Sequence, residues 1–419
     1  MNEKKYIVTK EFFGGIIEDI KKKENMSIDS SVYIILDRLL NSENERDVTH
    51  MSSEEVWQIL DELVELEIVK LNYSIKNAHQ ENTNCLSHPL RVFYDITYKC
   101  NLACKHCFTN SGKKREEELS LPEKKRLINQ FKEANVGRIS IAGGEPFASE
   151  DIFFFLAECK KNDIEVSITS NGTLLDEHTV KRLNDIKIRT LTISLDGASQ
   201  EGNDFVRGFG SYKKTLEGLD NLKKYYKNNY CIKTTLMKNN LNDIEELIKI
   251  AISKGCWSIK FNCVRDDGRA HNNSEEILLD SREYIDVIKH IETLKKKYGD
   301  RIDIKAPLNI FCEEDYEFIP ELGFGCFAGK ESICIDPMGN VRPCSHFPSQ
   351  FICGNIREES LVEMWRNSKI LQLFRNFEGN KECNTCKSYK FCRGGCRYRA
   401  YKNGDINGID PYCYLEKGM

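Results

Sequence analysis

Eighteen cysteines stand in this chain of 419 residues, and their placement constrains the fold more than any other feature. The N-terminus, MNEKKYIVTKEFFGG, has no apolar core of signal-peptide length. The longest apolar run, Ile152 to Ala157, falls far short of the roughly 20 residues of a membrane span. The chain is therefore expected in the cytoplasm, with no membrane partner. Thiols in a reducing cytosol do not pair as disulfides, which leaves metal ligation as the leading use for so many of them. A net charge of -4 and a pI near 6.2 supply no basic stripe to neutralise phosphates, so nucleic acid is not expected as a partner.

Three regions separate along the chain. Residues 1–85 begin with short strand patterns at Tyr6 to Val8 and, after Gly14-Gly15, at Ile16, Ile17 and Ile20. Two amphipathic helical patterns follow, Val32 to Leu40 behind Asp29-Ser30 and Val56 to Leu66 behind Ser52-Ser53-Glu54. This predicts a small winged-helix-like domain, with the polar stretch Lys76 to Asn84 as a linker. Residues 90–308 alternate strand and helix, with strands at Arg91 to Thr97, Arg138 to Ala142, Glu165 to Thr169, Thr190 to Leu195, Ile232 to Met237 and Ser258 to Cys263. Helical segments read at Pro122 to Ala134, Thr179 to Ile186, Tyr212 to Tyr226 and Ile244 to Lys254. Such alternation predicts an α/β fold, a partial (β/α)6 TIM-like barrel whose site lies at the carboxyl ends of the strands. Residues 309–419 are cysteine-rich and show little regular periodicity, as expected of a segment held by metals.

The first cysteine group is DITYKCNLACKHCF, which sets Cys100, Cys104 and Cys107 as Cys-x3-Cys-x2-Cys at the end of the first barrel strand. Three thiolates on one loop can hold three irons of a [4Fe-4S] cube and leave the fourth open to a ligand. A zinc loop is the alternative. It needs four donors, and the fourth would have to be His106, awkwardly placed inside the loop.

This loop resembles the signature of the radical S-adenosylmethionine (SAM) superfamily, and later segments strengthen the likeness. Gly143-Gly144-Glu145-Pro146, after the second strand, is similar to the family's GGEP segment. Thr169-Ser170-Asn171-Gly172 follows the third strand, and Ser194-Leu195-Asp196-Gly197 the fourth, with Arg207-Gly208 beyond. Each alone reads as an ordinary turn, since Ser, Asn, Asp and Gly are turn residues. Together at successive strand ends they imply a SAM site contacted by Gly143, Gly144, Glu145, Pro146, Ser170, Asn171, Ser194 and Arg207. The resemblance implies reductive cleavage of SAM to methionine and a 5'-deoxyadenosyl radical, which takes a hydrogen atom from the substrate. Catalysis then rests on Cys100, Cys104 and Cys107, with the hard chemistry supplied by the cofactors.

In the tail, Cys326, Cys334 and Cys344 precede Cys383-x2-Cys386-x5-Cys392-x3-Cys396, with Cys413 after them. This resembles the SPASM domain, the iron-sulfur extension of radical SAM enzymes that act on peptides and proteins. The resemblance implies an outer auxiliary cluster on Cys383, Cys386, Cys392 and Cys413. It implies an inner one on Cys326, Cys344 and Cys396, with Cys334 available as fourth ligand, making three [4Fe-4S] clusters in all. A pair of structural zinc sites is the alternative. Cys85, Cys159, Cys231, Cys256, Cys263, Cys312 and Cys353 remain, most of them expected as small buried apolar residues, with Cys312 held open as a functional thiol.

Residues 1–85 resemble the PqqD-like RiPP recognition element, which captures a precursor's leader as an added strand. The whole is thus similar to a peptide maturase of the sactisynthase type. That likeness implies a ribosomal precursor peptide as substrate, a Cys thioether as product, and a reductant such as flavodoxin or ferredoxin. Carbon-carbon crosslinking, or protein dehydrogenation as in anaerobic sulfatase-maturing enzymes, is the alternative. A packing or dimerisation role for residues 1–85 also stays open.

Overall fold

Strand and helix do alternate through the middle of the chain, and the strands align into one sheet. The structure is a computed structural model that describes residues 6–11, 14–19, 24–29, 33, 75–76, 86–186, 188–307, 325–386 and 389–413. It forms two compact units, residues 1–87 with 313–325 and 387–393, and residues 88–312 with 326–386 and 394–419.

The first unit contains a four-stranded sheet, β1 (Tyr6–Glu11), β2 (Gly14–Asp19), β3 (Glu24–Asp29) and β4 (Ile75–Lys76), in the order β3-β2-β1-β4. β1, β2 and β3 pair antiparallel, while β4 runs parallel to β1. The strand patterns near residues 6 and 16 thus form a hairpin, and β3 is an addition the sequence reading lacked. Both helical patterns lie outside the described residues apart from Tyr33, which is helical and buried.

In the second unit the six expected strands appear as β5 (Arg91–Asp95), β6 (Arg138–Ala142), β7 (Glu165–Ser170), β8 (Ile188–Ser194), β9 (Tyr230–Leu236) and β10 (Ser258–Cys263). They pair parallel in chain order. A seventh parallel strand, β11 (Asp303–Lys305), pairs with β10. At three residues it is too short to show a period of two. On the other edge β12 (Ser332–Ile335) runs parallel to β5, followed by antiparallel β13 (Asn340–Arg342) and β14 (Gly354–Asn355). The TIM-like partial barrel is therefore confirmed, and the cysteine-rich tail extends its sheet.

Burial follows the pleat. Along β7 the alternate residues Val166, Ile168 and Ser170 are buried while Glu165, Ser167 and Thr169 are half-exposed. The buried set packs under the crossover helices, as where the Tyr94 ring meets Phe155 at 5.3 Å. Each such side chain contributes about 1.5–3 kcal/mol on burial. The expected helices appear at Leu121–Glu133, Glu177–Leu183, Ser211–Tyr225 and Ile244–Ser253. The first opens on a capping box between Ser120 and Glu123. The tail is more regular than its sequence suggests. Ser360 and Ser368 cap helices Leu361–Asn367 and Lys369–Arg375, which bury Leu361, Met364, Trp365, Leu371 and Phe374. Among the described residues no helix is long and apolar enough to cross a membrane.

Candidate functional site

The first cysteine loop leaves β5 at the carboxyl end of the sheet and is fastened at both ends. Cys100 N donates to Gly112 O at 2.8 Å and Gly112 N to Tyr98 O at 2.9 Å, closing the loop on itself. Lys105 N donates to Val206 O at 2.8 Å. From the far side Arg269 clamps it, with its backbone N on Cys107 O at 2.9 Å, Nε on Cys104 O at 2.8 Å and Nη1 on Ser111 O at 2.9 Å. Gly268 allows that approach, because a Cβ there would sit 2.4 Å from the carbonyl oxygens of Cys107 and Phe108. All three thiols are free and half-buried, and burial raises those of Cys100 and Cys104, the latter to about 11.

The glycines of the Gly-Gly-Glu-Pro turn serve a contact within the protein. A Cβ on Gly143 would stand 2.4 Å from Thr97 O, and one on Gly144 2.3 Å from Lys99 O. Their absence lets Gly144 N reach Thr97 O at 2.7 Å and Glu145 N reach Lys99 O at 2.9 Å. The turn is thereby laid against the chain that enters the cysteine loop. Glu145 is fully buried, and its carboxylate accepts from Ser170 Oγ at 2.8 Å, Asn171 N at 2.7 Å and Phe147 N at 3.1 Å. Pro146 opens the short 3-10 helix Pro146–Ala148. Asn171 Nδ2 donates to Asn101 Oδ1 at 2.9 Å, and Asn101 Nδ2 to Thr173 Oγ1 at 2.7 Å. Thus Glu145, Ser170 and Asn171 come together with Asn101 of the cysteine loop, their side chains engaged with one another.

Beyond β8, Asp196 is completely buried and lies 2.7 Å from Arg207 Nη2 and 3.4 Å from His106 Nε2. Its Oδ1 accepts from Thr235 N at 2.7 Å. Burial depresses His106 to about 4, leaving a neutral imidazole at pH 7. Arg207 Nε and His106 Nδ1 are buried with no hydrogen-bond partner among the described residues. Arg207 and His106 thus flank the buried Asp196, and only the turn-like Ser-Leu-Asp-Gly string hinted at it in the sequence.

Three of the tail cysteines share one aromatic cluster. Cys326, Cys344 and Cys396 pack against Ala328, Phe347, Phe374 and Tyr398. Cys334, on β12, hydrogen-bonds Cys344, which raises its own thiol and lowers that of Cys344. His346 stacks between Phe108, at 4.7 Å, and Tyr398, at 5.3 Å, so one ring links the first cysteine loop to this group. Cys383 lies on the short helix Lys381–Asn384 with Cys386 just after it, Cys392 ends the helix Tyr389–Cys392, and Cys413 N donates to Asp410 O at 2.8 Å. Among the described residues no three His, Cys, Asp or Glu side chains are placed to hold a single metal ion. Cys159, Cys231 and Cys256 are buried apolar residues, Cys263 and Cys353 are half-buried, and Cys85 and Cys312 fall outside the described residues.

Residues 94–251 match the radical SAM superfamily model, and residues 326–387 match that of the SPASM iron-sulfur cluster-binding domain. This chain carries a radical SAM domain joined to a SPASM domain. Among relatives, the mycofactocin maturase MftC of Mycobacterium ulcerans is 27% identical over 78% of this chain and 88% of its own length. The AdoMet-dependent heme synthase of Methanosarcina barkeri is 28% identical over 79% of this chain and 97% of its own. Streptococcus suis SuiB bound to precursor peptide SuiA shares the fold at a TM-score of 0.76, with 20% identity over 98% of both chains.

A radical SAM domain binds a [4Fe-4S] cluster and SAM, and a SPASM domain binds further iron-sulfur clusters. The residues present fit those groups. Three free thiols share one clamped loop, and the unpartnered Arg207 Nε and His106 Nδ1 retain capacity for a polar ligand. Ser194 stands half-exposed at the end of β8, and no hydrogen bond to its hydroxyl occurs among the described residues. Sequence reasoning missed the Gly268-Arg269 clamp entirely. Its residues lie some 160 positions after the loop they hold, and Arg269 reaches Cys104 across a separation of 165.

Proposed function

We propose that this radical SAM enzyme matures a ribosomally made precursor peptide by closing a thioether between a cysteine sulfur and a carbon of another residue. The linkage of the first cysteine loop to Cys326, Cys334, Cys344 and Cys396 through Phe108, His346 and Tyr398 carries this reading. Crosslinking is a net oxidation of the peptide. One hydrogen atom leaves the carbon, the thiol loses a proton, and one electron must leave as the carbon-sulfur bond forms. When bound, the cluster on Cys100, Cys104 and Cys107 with SAM supplies the hydrogen-atom acceptor, and the auxiliary clusters supply the electron sink. A low-potential protein reductant such as flavodoxin or ferredoxin provides the electron that starts each turnover.

In this reading Cys326, Cys334, Cys344 and Cys396 hold the inner cluster, and Cys383, Cys386, Cys392 and Cys413 the outer one. Glu145, Ser170 and Asn171 orient SAM by fixing the turns around it, while Ser194 and Arg207 contact it. Residues 1–85 take the peptide's leader as an added strand. The edge strand β3, which ends its sheet among the described residues, offers backbone groups for that pairing. The names of the MftC maturase and of SuiB bound to SuiA support a peptide substrate. Tandem mass spectrometry after thiol alkylation tests the bond. The expected product is lighter by two hydrogens, with one cysteine resistant to alkylation. A product of that mass with every cysteine alkylatable refutes the thioether in favour of carbon-carbon coupling or dehydrogenation.

A further inference from the structure

The inner face of the sheet carries two lysines that form no ion pair among the described residues. Lys233 on β9 stands in register with Lys260 on β10, so the two ammonium-bearing side chains project to the same face on adjacent strands. Lys233 is also level with Ser194 on β8, at the edge of the SAM-side turns. Both lysines are half-buried, and burial together with the cations Lys260 and Arg265 holds the Lys233 ammonium below its ordinary range. Arg265, just past β10, faces the other way as well, toward Cys344 and Cys396 of the inner group. Lys233 thus lies near His106 of the first cysteine loop and Arg265 near the inner group, with Lys260 beside Lys233.

The neighbouring carboxylates are already committed. Asp196 is bound by Arg207 and Thr235 N, Asp267 by His346, Asp303 by Lys305, and Asp410 by both nitrogens of the Arg399 fork. Lys233, Lys260 and Arg265 take part in no ion pair among the described residues. Clustering like charges in a half-buried cavity is unfavourable unless an anion completes it. Arg265 has the Cys344 and Cys396 sulfurs and Asp267 near it. Lys233 has the Asn262 amide oxygen at 3.2 Å, once that amide is turned to accept, and Lys260 has the Trp257 ring at 6.0 Å, but neither has an anion among the described residues.

We infer that Lys233 and Lys260 form a carboxylate site, and that the segment of substrate held between the two cysteine groups carries an acidic side chain or a free C-terminal carboxylate. This rests on the peptide reading above and narrows it to an acidic peptide. Two lysines on adjacent strands suit a carboxylate, which accepts at both oxygens.

The test uses the reconstituted holoenzyme with SAM and two probes. In the first arm, glutarate stands in for a glutamate side chain and glutaramide is its uncharged counterpart, with binding followed by calorimetry at low ionic strength. Glutarate is expected to bind one site per chain, with glutaramide at least tenfold weaker. Lys233→Met and Lys260→Met should each weaken glutarate at least tenfold, and Lys233→Arg should restore most of it. Iron content and unfolding temperature show that each variant is folded and loaded. Glutarate binding no tighter than glutaramide, or unmoved in both methionine variants, overturns the site. So does an effect of the variants confined to the auxiliary-cluster EPR spectrum, since the lysines would then serve the clusters alone.

In the second arm, synthetic octapeptides centred on Glu, Gln or Lys are scored by stimulation of 5'-deoxyadenosine release. Stimulation by the Glu series alone, reversed toward the Lys series in Lys233→Glu, is the expected result. Equal stimulation by Gln and Glu peptides overturns the narrowing to acidic peptides. Glutarate binding without stimulation by any peptide leaves the carboxylate site standing and counts against the peptide reading instead.

Discussion

Replacing Arg269 with methionine removes two guanidinium hydrogen bonds to the cysteine loop, those to Cys104 O and Ser111 O, while keeping the backbone bond from residue 269 to Cys107 O. Hydrogen bonds from a charged donor contribute about 1.5–3 kcal/mol each, so the gross loss is about 3–6 kcal/mol. The guanidinium is half-exposed and water replaces part of that loss, which places the net effect near the lower bound. A loosening of about 3 kcal/mol corresponds to roughly a hundredfold rise in local opening. The loop amides that report it are Lys105 N and Gly112 N, each closed by a backbone bond in the native loop. Hydrogen exchange of the reconstituted chain should show both amides exchanging about a hundredfold faster, while Ile141 in the middle of β6 is unchanged. Iron content should fall by one cluster's share, and Arg269→Lys, which keeps a charge but not the fork, should lie between. Wild-type exchange at both amides with full iron in Arg269→Met would refute the clamp.

Two further outcomes follow from the same geometry. Gly144→Ala drives a Cβ to within 2.3 Å of Lys99 O, so the turn must withdraw from the cysteine loop. SAM binding measured by equilibrium dialysis should be lost, with stability lowered by several kcal/mol, on the order of a severe strain substitution; wild-type SAM affinity would contradict the packing argument. Glu331 is buried and its carboxyl is pushed up to about 7, first by burial and against the pull of Arg91 and Lys330. Its folded pKa lies above the unfolded value, so the native state binds more protons between about pH 4.5 and 7 and stability falls as pH rises through that window. Glu331→Gln should therefore be nearly neutral at pH 4 and stabilising by up to about 3 kcal/mol at pH 8, read from urea unfolding midpoints, with a pH-independent difference as the contrary result.

Local pattern made the barrel legible. β5 to β10 were visible because runs such as Arg138–Ala142 are bounded by turn residues and separated by amphipathic helices with caps such as Ser120. β11 and β12 escaped because a strand of three or four residues has no period to detect, and their pairing with β10 and β5 is set by distant neighbours. The same divide runs through the site. Cys100, Cys104 and Cys107 announce themselves by spacing, whereas Arg269, Asn101 and the Lys233-Lys260 pair acquire meaning only when the fold places them. The roles of the two glycines were half-read. Both were expected to contact SAM, whereas the close approach they permit is to Thr97 O and Lys99 O, just past β5.

The register of β12 against β5, from Ser332↔Arg91 to Ile335↔Tyr94, bears on how such enzymes can be recombined. A tail grafted from another family member must supply an edge that matches this one residue for residue. A slip of one position would turn Cys334 away from Cys344 and toward the opposite side of the sheet. Chimeras cut between barrel and tail would thus inherit a Cys334–Cys344 geometry fixed by strand pairing, and the workable crossover points lie beyond β12, not before it.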